Sequence, residues 1–205
     1  MQGLSLPAFA VFDWEEQCLS ALDYFSQQSN VVISLSFSQN LQREVARQQL
    51  HLAITELLMQ AFSCTAEQIR LIRIAGSRLQ CIIATQEIFI SVSHEPGLSV
   101  AAISQKQLPG IDLMAIKPID DWQNVAGIYF SSQQIAALQQ AQDDECAALF
   151  AQCWTMMEAR FKCAGIAMTE YDEHVQQQMA SVLKDCCSYA LTLPAGYIGT
   201  LILRP

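Results

Sequence analysis

The stretch QLPGIDLMAI, residues 107–116, divides this chain. Pro109 and Gly110 are a turn-prone pair that interrupts the apolar pattern, and GIDLMAI restarts it as a buried strand. Upstream, NVVISLSF (30–37) reads as a strand, and SQNLQREVARQQLHLAITELLMQAF (38–62) has the length and period of an amphipathic helix capped by Ser38 or Asn40. CTAEQIRLIRIA (64–75) opens as a Thr-led helical turn and becomes a strand, and LQCIIA (79–84) is another. EIFISVSHEPGLSVAAIS (87–104) reads as two strands joined at Glu95, Pro96 and Gly97. Downstream, DWQNVAGIYFSSQQIAALQQAQ (121–142) suggests short helices, the later one opened by Ser131 or Ser132. DDECAALFAQCWTMMEARFKCAG (143–165) is a long helix with acids in its first turn, a base near its end and Gly165 after it. A polar loop follows, and CSYALTLPAGYIGTLILRP (187–205) closes the chain as two strands. Residues 1–108 and 109–205 each carry a long helix and several strands. The expected fold is α+β, a pseudo-dimer of two similar α/β halves.

Composition narrows the function. A chain of 205 residues that is 52% apolar is a folded protein. A net charge of −9 with eleven Lys and Arg excludes a nucleic-acid surface, which needs clustered cations. No apolar run approaches a membrane span, and the N-terminus lacks the basic region of a signal peptide. The eight cysteines form no C-x-x-C pair and are read as reduced, mostly buried residues of a cytoplasmic protein.

Two places carry chemistry. Asp112 ends the strand fragment GID, where a carboxylate is either a turn residue or part of a site. Glu158 and Lys162 lie four residues apart on the long helix, beside Trp154, Met157 and Phe161. Their pairing is either a surface contact of about 0.3 kcal/mol or a means of handling phosphate and metal.

Taken in order, GID and WTMMEARFKCAG resemble the signatures of the surfactin-type 4′-phosphopantetheinyl transferases, a G-[IV]-D-x-E strand and an [FW]-[ST]-x-K-E-[AS]-x-x-K helix. ISVSHEPGLSVAAIS resembles the F-N-x-S-H-S segment of that family and the strand after it. More loosely, ARQQLHLAITELLMQAFSCTAEQIRLIRIAGSRLQ resembles its first helix, turn and G-K-P-x-[LI] loop. The resemblance runs from about Val45 to Gly165. It implies transfer of the phosphopantetheine arm of coenzyme A to a serine of an acyl or peptidyl carrier protein by a cytoplasmic monomer. It also implies Mg²⁺ held by Asp112 and Glu158, with Glu158 or a metal-bound water taking the serine proton. Lys162 would hold a phosphate oxygen, and Ser93 and His94 would lie near the 3′-phosphate of coenzyme A.

The chain departs from the pattern in several places. Met114 stands where the family has a second acid, and Met157 replaces the lysine before the motif glutamate, continuing the apolar stripe of Cys146, Phe150 and Cys153. Ser91 replaces an Asn, Glu95 follows His94 in place of a small hydroxyl residue, and GSRLQ lacks the loop proline. Arg43, Arg47 and Arg78 are the cations available as substitutes. A lysine restored at Met157 would then be expected beside Glu158, raising turnover. The alternative is a catalytically impaired homologue that binds coenzyme A or a carrier protein without turnover.

Overall fold

The computed structural model describes residues 6–73 and 79–205. In chain order the elements are β1 (Ala8–Phe9), β2 (Phe12–Asp13), α1 (Trp14–Gln28), β3 (Asn30–Ser36), α2 (Arg43–Phe62), a 3₁₀ turn at Ala66–Gln68, β4 (Ile69–Arg73), β5 (Leu79–Ile83), β6 (Gln86–Glu95) and β7 (Leu98–Ser104). They continue with β8 (Leu108–Ala115), α3 (Trp122–Tyr129), α4 (Ser132–Gln140), α5 (Asp143–Ala164), α6 (Glu173–Val182), β9 (Cys187–Leu191) and β10 (Tyr197–Arg204). The fold is mixed α and β, with one sheet of order β2-β3-β7-β6-β5-β4 and another of order β1-β9-β10-β8.

Side-chain alternation explains how the layers stack. Val31, Ile33 and Leu35 of β3, with Ala101 and Ile103 of β7, face α1 and α2 and join Phe25, Leu50, Ile54, Leu57 and Leu58 in one core. The intervening Val32, Val100 and Ala102 face the other way and pack on Ile111 and Leu113 of β8 and on Leu201 and Leu203 of β10. β3 and β7 are thus buried on both faces, which accounts for their nearly unbroken apolar runs. α5 covers the second sheet, and its outer side carries an apolar cluster shared with α3, α4 and α6.

Several expectations change. The opening of the chain holds a 15-residue helix, α1, where Asp13 accepts from Glu15 N at 3.1 Å and Glu15 and Glu16 occupy the first turn. The polar segment after Gly165 contains α6, capped by Asp172, whose side chain accepts from Val175 N. α2 starts later than expected: its N-cap is Gln42, without a side-chain cap bond, in place of Ser38 or Asn40. Pro109 and Gly110 are not a turn but lie inside β8, and Asp112 is in mid-strand. β8 is an edge strand, where the missing N–H of a proline is tolerated. Ala8 and Phe9 pair in parallel with Ala190 and Leu191, so the start of the chain extends the second sheet. All eight cysteines are free thiols, yet only Cys81 and Cys163 are buried and Cys187 is exposed. Among the described residues no helix is long and apolar enough to cross a membrane.

Candidate active site

Gly110 sets how closely α5 can approach β8. A Cβ there would collide with the Ala159 carbonyl and the backbone of Cys163, so the helix backbone rests on the bare strand. Asp112, two residues on and on the same face, therefore meets α5 directly. Lys162 Nζ donates to Asp112 Oδ1 at 2.7 Å and to the Ile111 carbonyl at 3.1 Å. Glu158, one turn earlier, has Oε2 3.5 Å from the same ammonium. The i,i+4 pair is real, but its lysine is held more closely by Asp112.

The other wall comes from β6. Ser93 Oγ donates to Asp112 Oδ1 at 2.7 Å and accepts from Leu113 N at 3.3 Å, while Ser91 Oγ accepts from Ile111 N at 3.1 Å. Two serine hydroxyls thus satisfy edge N–H groups of β8 and join the two sheets through side chains.

His94 is the cross-strand partner of Ser99, and its Nδ1 lies 2.8 Å from Ser99 Oγ. Its Nε2 is buried with no hydrogen-bond partner among the described residues, as is Nε of Arg47. Arg47 is otherwise 3.7 Å from Glu44. Burial, reinforced by Arg47 and Arg43, lowers His94 from 6.5 to about 4, so the ring is neutral near neutrality. Burial raises Asp112 from 3.8 to about 6 and Glu158 adds to that, while Lys162 and Ser93 oppose it. Burial also raises Glu95, with Lys117 and Arg43 working the other way and Glu158 adding to the rise.

Arg43, Arg47, Ser93, His94, Asp112, Glu158 and Lys162 all line one cleft of about 280 Å³, together with Glu95 and Trp154. Arg78 lies outside the described residues. The sequence did not mark Ser99 or Trp154 as site residues; the short Pro96-Gly97 turn, which sets Ser99 opposite His94, is the signal that would have found the first. Met157 goes elsewhere. It is buried with Phe130, Phe150, Phe161 and Met179 on the outer side of α5, so a lysine there would enter an apolar cluster and not the cleft. Met114 packs against the same cluster. Among the described residues no three His, Cys, Asp or Glu side chains are grouped to hold a metal.

Part of this sequence is similar to known proteins. A stretch of 90 residues, 44% of this chain, is 26% identical to the 4′-phosphopantetheinyl transferase HetI of Nostoc sp., and spans 38% of that protein's length. Residues 109–187, which include Asp112, Glu158 and Lys162 but not Arg43, Arg47, Ser93 or His94, match the family model described as the 4′-phosphopantetheinyl transferase superfamily.

Proposed function

We propose that this protein transfers the 4′-phosphopantetheine arm of coenzyme A to a serine of an acyl or peptidyl carrier protein. In this reading it is a surfactin-type enzyme, a cytoplasmic monomer and a pseudo-dimer of halves 1–108 and 109–205. The observation that carries it is the gathering of Asp112, Glu158 and Lys162 with Ser93, His94, Arg43 and Arg47 around one cleft. Matching order supports the pseudo-dimer: β3 lies beside β7, which pairs with β6, just as β8 lies beside β10, which pairs with β9. A long helix, α2 or α5, follows the first strand in each case. Eight free thiols suit a reducing compartment.

The roles follow from charge and position. The unpartnered Nε–H of Arg47 suits a phosphate oxygen, as does His94 Nε2 in the tautomer that carries the proton there while Nδ1 accepts from Ser99 Oγ, and Arg43 adds charge at the same wall. Lys162, which lines the same cleft, supplies a cation for a second phosphate oxygen and for the charge that develops as the bond to the leaving bisphosphate breaks. Glu158 accepts the proton of the attacking serine hydroxyl. Mg²⁺ fits the donor chemistry, because it is content with one or two carboxylates plus water and phosphate oxygens, and Asp112 and Glu158 line one cleft; the Lys162 ammonium, 2.7 Å from Asp112 and 3.5 Å from Glu158, would have to swing aside to admit it. When bound it would supply Lewis-acid stabilisation of the pyrophosphate. Ser93 keeps Asp112 oriented, and Trp154 closes the cleft beside it.

One observation favours the binding-only homologue as a second reading. The Lys162 ammonium already neutralises Asp112 and Glu158, and Met157 brings no cation to replace it. Incubation with coenzyme A, Mg²⁺ and a panel of apo carrier proteins, read by intact mass, separates the two. A carrier heavier by one arm establishes transfer. No added mass, with a coenzyme A-dependent rise in Tm, establishes binding alone, and neither signal overturns both.

A further inference from the structure

A second concavity of about 430 Å³ lies away from the cleft, between the N-terminal part of α3, the end of α4 and the first half of α5. Leu138 and Phe150 form its floor, and Ile119, Trp122 and Ala147 its partly exposed walls. No Lys or Arg lines it. Its borders in sequence are acidic: the exposed Asp120 and Asp121 adjoin one wall, and the exposed Glu145 leads into the other. Between Pro118 and Leu183 the chain has nine acids and only two basic side chains, Arg160 and Lys162. Lys162 faces the cleft, and Arg160 lines a separate small pocket with Tyr129 and Met179. Lys117, just before the groove, acts electrostatically on Glu95 of the cleft.

A trench between helices with an apolar floor, lined also by Gln123 and Gln139, flanked in sequence by exposed acids and free of lining Lys and Arg, is complementary to one kind of occupant. We infer that this groove docks an amphipathic helix of a partner protein, with its apolar stripe on Trp122, Leu138 and Phe150 and its flanking Lys and Arg residues against the acidic edges. Apolar anchors at helical spacing supply the contact, and the flanking charges supply selectivity and encounter rate. The groove also adjoins the cleft. Phe150 of its floor stacks on Trp154 of the cleft wall, with ring centroids 6.0 Å apart and planes 12° from parallel. A partner seated there lies one aromatic layer from Glu158 and Lys162. The docking itself does not depend on the cleft's activity.

The test is fluorescence anisotropy with the full chain and labelled synthetic peptides of leucine and lysine. One peptide is patterned as an amphipathic helix, one has the same composition scrambled, and one has glutamate in place of lysine. The patterned basic peptide is expected to bind at least about tenfold more tightly than either comparator. Asp120→Lys with Glu145→Lys, one change at each edge, and separately Ala147→Trp, which fills the trench, are each expected to weaken it by a similar factor. Glu15→Lys with Glu16→Lys, on α1, is the control for diffuse attraction, and thermal unfolding confirms that each variant is folded. The inference is overturned if the scrambled peptide binds equally, if the α1 variant loses as much as the edge variant, or if folded Ala147→Trp binds undiminished.

Discussion

Ser93 does two jobs with one oxygen, donating to buried Asp112 and accepting from Leu113 N. Ser93→Ala leaves both without that partner, and denaturant unfolding is expected to show a loss of about 1–3 kcal/mol. In the proposed reaction Glu158 and Lys162 act on the reacting atoms, so Glu158→Gln and Lys162→Ala are each expected to cut transfer by about a hundredfold or more in the mass-shift assay. Glu158→Gln should change Tm little, whereas Lys162→Ala should also lower it, because buried Asp112 loses its ammonium partner. Met157→Lys is expected to lose about 1–3 kcal/mol and to gain no turnover, because the ammonium is forced among Phe130, Phe150 and Phe161. His94 sets a pH dependence. Its folded value of about 4 lies below the ordinary 6.5, so within that window the unfolded chain binds a proton that the folded chain does not. The contribution of His94 to stability therefore falls as pH drops from 6.5 toward 4, while Asp112, raised to about 6, contributes the other way, and Tm measured against pH should fall less steeply in His94→Gln than in the parent.

At the scale of elements, the site depends on one close crossing. α5 lies against β8 only because residue 110 has no side chain, and that contact holds Lys162 on the strand that carries Asp112. Gly110→Ala must push the helix outward, and the expected cost is about 1–3 kcal/mol, with weakened transfer because Lys162 and Asp112 separate. Thermal unfolding and the transfer assay on the same variant check both parts. α5 also divides its faces by function: Glu158 and Lys162 point into the cleft, Ala159 and Cys163 meet the second sheet, and Met157 and Phe161 join the outer cluster.

Across the whole molecule, the two sheets are joined by the Ser91 and Ser93 bonds, by the shared apolar layer and by a clip at the hairpin turns. Tyr197 OH, at the start of β10, donates to the Pro96 carbonyl at 2.6 Å and accepts from Gln39 Nε2 at 3.1 Å. Gly97 sits beneath it at φ +85°, where a side chain would be strained and would also strike Tyr197 and Gln39. The clip holds the turn that follows His94 and Glu95. Tyr197→Phe is expected to cost about 0.5–1.5 kcal/mol and to weaken coenzyme A binding more than it lowers Tm. Calorimetric titration beside a melting curve measures that difference; equal effects would make the clip purely structural.

Apolar runs bounded by turn residues located β3, β5, β6, β7, β9 and β10, and length with recurring apolar positions located the long helices α2 and α5. Capping chemistry narrowed the start of α4 to Ser131 or Ser132, of which Ser131 is the cap, and placed the end of α5 at Gly165. The motif spacing singled out Asp112, Glu158 and Lys162 before their neighbours were known. α1 and α6 escape this reading although an amphipathic pattern and the caps Asp13 and Asp172 mark them, because both are shorter than α2 and α5 and lie in segments rich in polar residues. Nor could it show that Pro109 and Gly110 continue a strand, since that depends on an unpaired edge and on a helix arriving from far along the chain. The partnership of Lys162 with Asp112, separated by 50 residues, and of Ser93 with Asp112, separated by 19, belongs to the tertiary structure alone. A residue's type and spacing fix what it can bond; only the packing of distant elements decides which partner stands within reach.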